Sequence, residues 1–451
     1  MALIELDLDA PPDRSAERRP PPPWRYRHLG LALAVVLLFT LAGAAPAGGT
    51  FWRELGLIPA EAGTEASIQL AGGRVFTVVS TGRNRTLTAW EPQPSPHRLW
   101  DAEVPISASF DPVNGVFGVV RVERIGDLLL LGAGLSSTVL DPATGRIRWT
   151  TPARITPVDG GTAVVTERIF RPGTLYDQES GDPGMLYFSA DGQPHVEPPI
   201  RTEVRGLDLA TGAVLWSAAP GGSVTAEAVG GDDRPAVLIT ASDRLSLRDA
   251  RTGAVLRETG LPEENGSGPG TSDVLDDVVL IGYPEAGRQA AYDTRTLERL
   301  WTRDLHPGHD SVDCAGLLCT GARGEVRVLD RRTGRTAWSA PSEAELAMRS
   351  GWVVMSEPSS GTPAALADPA TGRPVVPLSG WSGEVEGFAS RVLLLRRDDG
   401  NGDRVFGAVL PGQPEVRLLG TAGGSGGDCG GDDRYVVCRD VRGLRVWAYR
   451  I

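Results

Sequence analysis

One short motif recurs along this chain, and its spacing restricts the fold more than any other feature. An alternating apolar stretch ends in Asp-x-x-Thr-Gly, with Trp four residues after the glycine in most copies. The copies run from Asp141 to Gly145 with Trp149, from Asp208 to Gly212 with Trp216, and from Asp249 to Gly253. Three more follow: Asp293 to Leu297 with Trp301, Asp330 to Gly334 with Trp338, and Asp368 to Gly372. The Asp-to-Asp steps are 67, 41, 44, 37 and 38 residues. A step near 40 that encodes about four short strands is the signature of a β-propeller blade, and the 67-residue step carries an insertion.

Degenerate copies extend the array at Ala89-Trp90-Glu91 leading to Trp100, from Ala408 to Gly412, and from Val446 to Tyr449. Nine hits exceed the usual maximum of about eight blades. The sequence therefore predicts an all-β, eight-bladed propeller over 67–451, with seven blades as the alternative and one terminal hit that is not a separate blade. The last copy stops at Ile451, after its third strand. Its outer strand is expected from elsewhere, near Phe51–Leu57 in the 49–66 linker, because pairing the chain ends removes free sheet edges.

The motif has a physical reading without any function. The Asp carboxylate can accept hydrogen bonds from turn amides, and glycine tolerates positive φ. The tryptophan is then a large apolar plate that docks adjacent blades. Asp141, Trp149, Asp208, Trp216, Asp293, Trp301, Asp330 and Trp338 are expected to serve this structural role. Glycine and proline, 57 and 35 of 451 residues, oppose long helices and suit short strands joined by turns.

Lysine is absent, so all 45 basic residues are arginine. A Walker-A phosphate loop, a Schiff-base enzyme, a Ser-Lys hydrolase and a protein kinase each need a lysine and are excluded. The net charge of −12 falls on the body of the chain, because acids and arginines balance in the first 28 residues. Such a body repels phosphate backbones, and no arginine-rich stripe overcomes that, so no nucleic-acid partner is expected.

Residues 1–27 are polar and proline-rich, too poor in large apolar groups to pack, and read as a disordered cytoplasmic tail. Leu29–Ala45 holds seventeen uncharged residues, which as a helix span roughly 26 Å. The 28–48 segment is predicted to be a transmembrane signal anchor. Arg25 and Arg27 precede it, which places the N-terminus in the cytoplasm and the propeller outside. Secretion after cleavage near Ala45-Pro46-Ala47 is the competing reading. The cysteines agree with export: Cys314 and Cys319, and Cys429 and Cys438, form two close pairs. Outside the cytoplasm that proximity favours local disulfides, although four cysteines permit three connectivities.

The Asp-x-x-Thr-Gly-x-x-x-Trp repeats resemble the tryptophan-docking repeats of the pyrroloquinoline-quinone (PQQ)-like propeller superfamily. That superfamily includes quinoprotein dehydrogenases and a non-enzymatic propeller of the outer-membrane β-barrel assembly machinery. In the dehydrogenases the quinone lies on a central aromatic, beneath a disulfide of adjacent cysteines and beside Ca²⁺. This chain has no Cys-Cys pair and no position that can be matched to those ligands. The resemblance implies a quinoprotein-type fold without the cofactor.

Other chemistry is weaker. His306 and His309 with Asp310, and Asp313 nearby, offer two imidazoles and carboxylates to a metal, against a solvated turn. Asp398 to Asp403 resembles the start of a calcium loop, but Arg404 and Leu410 fall where glycine and glutamate are needed, so a hairpin tip is expected. Gly423 to Gly427 matches Gly-x-Ser-x-Gly, yet nothing helical follows. Tyr176 to Asp182, in the long insertion, is the candidate partner site. The chain is thus expected to be a membrane-tethered, non-catalytic scaffold for protein or envelope partners, needing no cofactor. A PQQ- or metal-dependent oxidoreductase, with PQQ and calcium, is the alternative.

Overall fold

The computed structural model describes residues 51–451 except 60–65, 82–83, 106–119, 134, 160, 178, 180, 182–183, 223, 231–233, 306–313, 323–324, 342–343, 358–359, 386, 388–390 and 424–426. The 1–27 tail and the 28–48 anchor lie outside the described residues, as do His306, His309 and Asp310. Among the described residues no helix is long and apolar enough to cross a membrane.

The described chain is a succession of small antiparallel sheets. Blades 1 to 5 occupy residues 67–105, 120–151, 156–218, 225–260 and 271–304, each with four strands in sequence order. Blade 6, residues 319–341, shows three strands among the described residues. Blades 7 and 8, residues 345–377 and 383–422, again have four. Blade 9 combines three C-terminal strands, within 429–450, with the strand Phe51–Pro59 at its outer edge. The register runs antiparallel from Phe51 opposite Arg450 to Pro59 opposite Gly443.

Nine blades correct the expected eight or seven. The C-terminal repeat is a full blade because a distant segment completes it. The innermost strand of blade 1, Ser67–Ala71, in turn touches that of blade 9, Cys429–Gly431. Every repeat in the sequence therefore corresponds to a sheet.

Burial explains the apolar patterning. Middle strands such as Ala236–Thr240 and Val278–Tyr283 are buried at every residue. Both of their faces meet a neighbouring blade, so they read as continuous apolar runs instead of alternating. Outer strands such as Thr336–Pro341 alternate between buried and exposed. Where third and fourth strands pair, a bulge recurs just before the Asp turn, between Val139 and Leu140, Leu247 and Arg248, and Val328 and Leu329. It leaves Trp149 opposite Val139 and Trp338 opposite Val328. Such bulges re-aim side chains, and here the residue re-aimed is the tryptophan.

Candidate functional site

The same turn geometry recurs from blade to blade. In each Asp turn one carboxylate oxygen closes the loop. Asp249 Oδ1 accepts from the Arg251 and Thr252 amides at 3.1 and 2.8 Å and from the Thr252 hydroxyl at 2.8 Å. Asp141, Asp208, Asp330 and Asp368 accept from the equivalent threonine amide and hydroxyl. The threonine hydroxyl is the main reason that Asp208, Asp249 and Asp330 titrate below the usual carboxylate range, whereas for Asp141 the Arg148 guanidinium leads.

The closed turn presents a carbonyl and a flat glycine to the preceding blade. The indoles of Trp100, Trp149, Trp216, Trp301 and Trp338 donate to the carbonyls of Pro142, Leu209, Ala250, Arg331 and Pro369, at 2.7 to 3.0 Å. Each acceptor is the residue immediately after the turn Asp of the next blade. Each ring also lies on that turn's glycine: a Cβ at Gly253 would be 2.5 Å from Trp216 Cγ. These residues join adjacent blades.

Both disulfides are local. Cys314 bonds Cys319, and Cys429 bonds Cys438, with no free cysteine left. Cys429 and Cys438 lie opposite each other on neighbouring strands. Cys314–Cys319 ties the segment entering blade 6 to its first described strand.

The insertion is the connection between the second and third strands of blade 3, residues 170–200, and carries the two-residue strands Tyr187–Phe188 and Pro194–His195. His195 stacks on Phe170 with ring centroids 3.8 Å apart and bonds the Thr174 hydroxyl at 3.0 Å. That packing holds the loop in place while leaving Leu175, Met185 and Ile200 exposed at 53, 67 and 59%. Within the predicted Tyr176–Asp182 segment, the Tyr176 amide bonds the Pro194 carbonyl at 2.9 Å and its hydroxyl the Gly181 carbonyl.

Beside the insertion lies a cavity of about 750 Å³. Its walls come from one end of blades 3, 4 and 5: Arg168 and Ile200–Thr202 from the insertion's ends, Thr240–Ser242 from blade 4, and Gly270–Ser272 from blade 5. Antiparallel strands put second-to-third connections and inter-blade connections at the same end, which is why these distant segments meet. A second cavity of about 330 Å³ shares Arg168, Val224 and Thr225 with the first and reaches Arg154 and Glu227 on the inner side. Thr225 and Ser272 hydroxyls bond at 2.7 Å across the seam. Burial pushes the Glu227 carboxyl upward, the Asp273 carboxylate adds to this, and Arg154 opposes it.

The sequence marks the insertion through its 67-residue step, but nothing marks Arg168, Arg201 or Ser272 as neighbours. Asp398 to Asp403 is a hairpin tip, with Asp399 accepting from the Asn401 and Asp403 amides. Within Gly423 to Gly427, the three central residues lie outside the described set. Among the described residues no three His, Cys, Asp or Glu side chains converge as a metal site.

Residues 200–354 match the sequence profile of the family described as outer membrane protein assembly factor BamB. No curated protein matches the chain. Similar solved structures include BamB from Moraxella catarrhalis, at 15% identity and a TM-score of 0.37 over 89% of this chain and 98% of that one. Apo AztD from Citrobacter koseri is similar at 14% identity and 0.39, over 68% and 84% of the two chains. The C-terminal WD40 domain of Sif2 is similar at 10% identity and 0.34, over 88% and 98%. Over residues 200–354 the chain is thus similar to the PQQ-like β-propeller repeats.

Proposed function

We propose that this protein is a non-catalytic interaction scaffold whose partner docks on the insertion-bearing end of blades 3 to 5. The observation that carries this reading is that the insertion exposes Leu175, Met185 and Ile200, with Ile200 also lining the adjoining cavity of about 750 Å³. Exposed apolar residues gathered at one place, rimmed by polar groups, mark interaction sites, whereas singly scattered ones need no explanation. The family description of the matched segment, an outer membrane assembly factor, favours a partner in the cell envelope. In this reading the 28–48 segment tethers the propeller outside the cytoplasm, and no cofactor takes part. The competing oxidoreductase reading needs PQQ and calcium.

A photo-crosslinking residue at Met185 in the intact full-length chain tests the scaffold. One defined envelope protein, identified by mass spectrometry, is expected from Met185 and not from Ala143 at the opposite end of blade 2. Changing Leu175 and Ile200 to serine should abolish the adduct. Equal adducts from both positions, or none from Met185, would overturn the reading.

A further inference from the structure

The walls of the large cavity depart from the rest of the molecule in charge. In a chain with a net charge of −12, its lining among the described residues includes Arg168 and Arg201 and no carboxylate. Nearby acids are already paired: Glu197 with Arg171 at 3.1 Å, and Glu203 with Arg205 at 2.8 Å and with Arg201 at 2.6 Å. Arg201 therefore faces the groove with one carboxylate at its side. Arg168 donates to the Phe188 carbonyl at 3.2 Å and, among the described residues, pairs with no carboxylate. It also lines the smaller cavity, so one guanidinium overlooks both.

The remaining wall alternates two kinds of surface. Thr225, Ser242, Thr271 and Ser272 supply hydroxyls, each able to donate and accept. Pro198, Pro199, Ile200 and Val224 supply apolar contact. Among the described residues Tyr187 is the one aromatic ring in the lining, so the wall offers a single stacking face, fewer than the successive rings on which a nucleic-acid strand stacks.

We propose that this groove binds an extended acidic peptide segment of the partner, its carboxylates paired with Arg168 and Arg201 and its intervening apolar side chains against Ile200 and Val224. The proposal rests on the scaffold reading and names the chemistry of its partner. An extended chain alternates its side chains, which matches a wall offering guanidinium and apolar surface side by side. Guanidinium groups bind carboxylates through paired parallel hydrogen bonds, giving orientation as well as attraction.

The test uses the full-length chain in detergent and a fluorescein-labelled peptide of alternating Asp and Leu, followed by anisotropy. Saturable binding with Kd on the order of 10 µM at low ionic strength is expected, weakening as salt is raised. The double variant Arg168→Glu with Arg201→Glu should bind at least about tenfold more weakly, a loss that costs about 1.4 kcal/mol or more. The same variant should gain binding to the matching Lys-Leu peptide, which the unmodified protein does not bind. That reversal cannot come from a variant that merely misfolds. Absence of saturable binding, equal affinity of both proteins for the acidic peptide, or equal displacement by polygalacturonate would overturn the proposal. Loss of peptide binding with a surviving Met185 adduct would remove the acidic-peptide claim and leave the scaffold. Loss of the Met185 adduct removes the scaffold itself.

Discussion

The seam between blades 3 and 4 and the seam between blades 4 and 5 solve the same packing problem in different ways. In the first, Trp216 lies on Gly253 and bonds the Ala250 carbonyl at 2.8 Å. In the second, the position of Trp216 is held by exposed Arg257, and the position of the glycine by Leu297. Leu297 keeps the left-handed backbone, with φ of 58° against 71° for Gly253. A β-carbon there costs roughly 1–2 kcal/mol, yet Leu297 is 3% exposed and packs with Leu261, Tyr283 and Tyr292. Glycine in this turn is therefore demanded by the neighbouring blade's tryptophan and not by the turn itself. When the tryptophan goes, a leucine fills its space. Glu264 reinforces the altered seam through Arg288 at 2.7 Å and Arg299 at 3.3 Å. At its inner edge the same seam sets Glu227 near Asp273, and its open end forms the groove.

Truncation at the matched position separates the two seams most strongly. Trp216→Ala should cost about 3–5 kcal/mol, whereas Arg257→Ala should change stability by less than about 0.5 kcal/mol. Thermal melts of the two variants decide it, and equal shifts would show that Trp216 is not a seam lock. Leu297→Ala should cost about 2–4 kcal/mol by leaving a cavity, a larger loss than relief of backbone strain could return. Gly253→Ala comes next, at about 1–3 kcal/mol from overpacking, because its Cβ would meet the Trp216 ring.

Rebuilding the lock sharpens the point. Arg257→Trp alone should gain nothing while Leu297 occupies the site. Combined with Leu297→Gly it should recover about 0.5–3 kcal/mol beyond additivity, measured by a double-mutant cycle in urea.

The smallest effect concerns pH. A carboxyl raised by folding, as at Glu227, weakens the folded state as pH climbs from the unfolded value through the raised one. Glu227→Gln should remove that decline and give a slightly higher melting temperature at neutral pH. The lowered Asp208, Asp249 and Asp330 act in the opposite sense. Their contribution is present above the unfolded pKa and is lost as pH falls through their depressed values. Acid melts of Asp249→Asn should accordingly show a shallower loss than those of the unmodified chain.

Much of this was legible before any coordinates. Asp-x-x-Thr-Gly-x-x-x-Trp encodes a turn, a bulge and a docking plate within nine residues, and those interactions are local. The disulfides were legible for the same reason, since Cys314–Cys319 and Cys429–Cys438 close loops of only 5 and 9 residues. The closing strand near Phe51–Leu57 was legible too, from the truncated last repeat, whereas the blade count was not, because nine hits exceed the usual maximum of about eight. That strand, Phe51–Pro59, pairs with residues nearly 400 positions away and carries no copy of the motif. The tail, the anchor and the His306–Asp310 candidate stand as sequence expectations.

What the sequence alone determined was the repeating unit, because a blade's turn chemistry and apolar period are written over short distances. What only the tertiary structure decided was the number of units that close the ring, the exchange of tryptophan for leucine at one seam, and the groove. Arg168, Ser242 and Ser272 come from three blades and share no local pattern. They face one cavity because antiparallel strands return the connections of successive blades to the same end, a consequence of packing that no window of sequence contains.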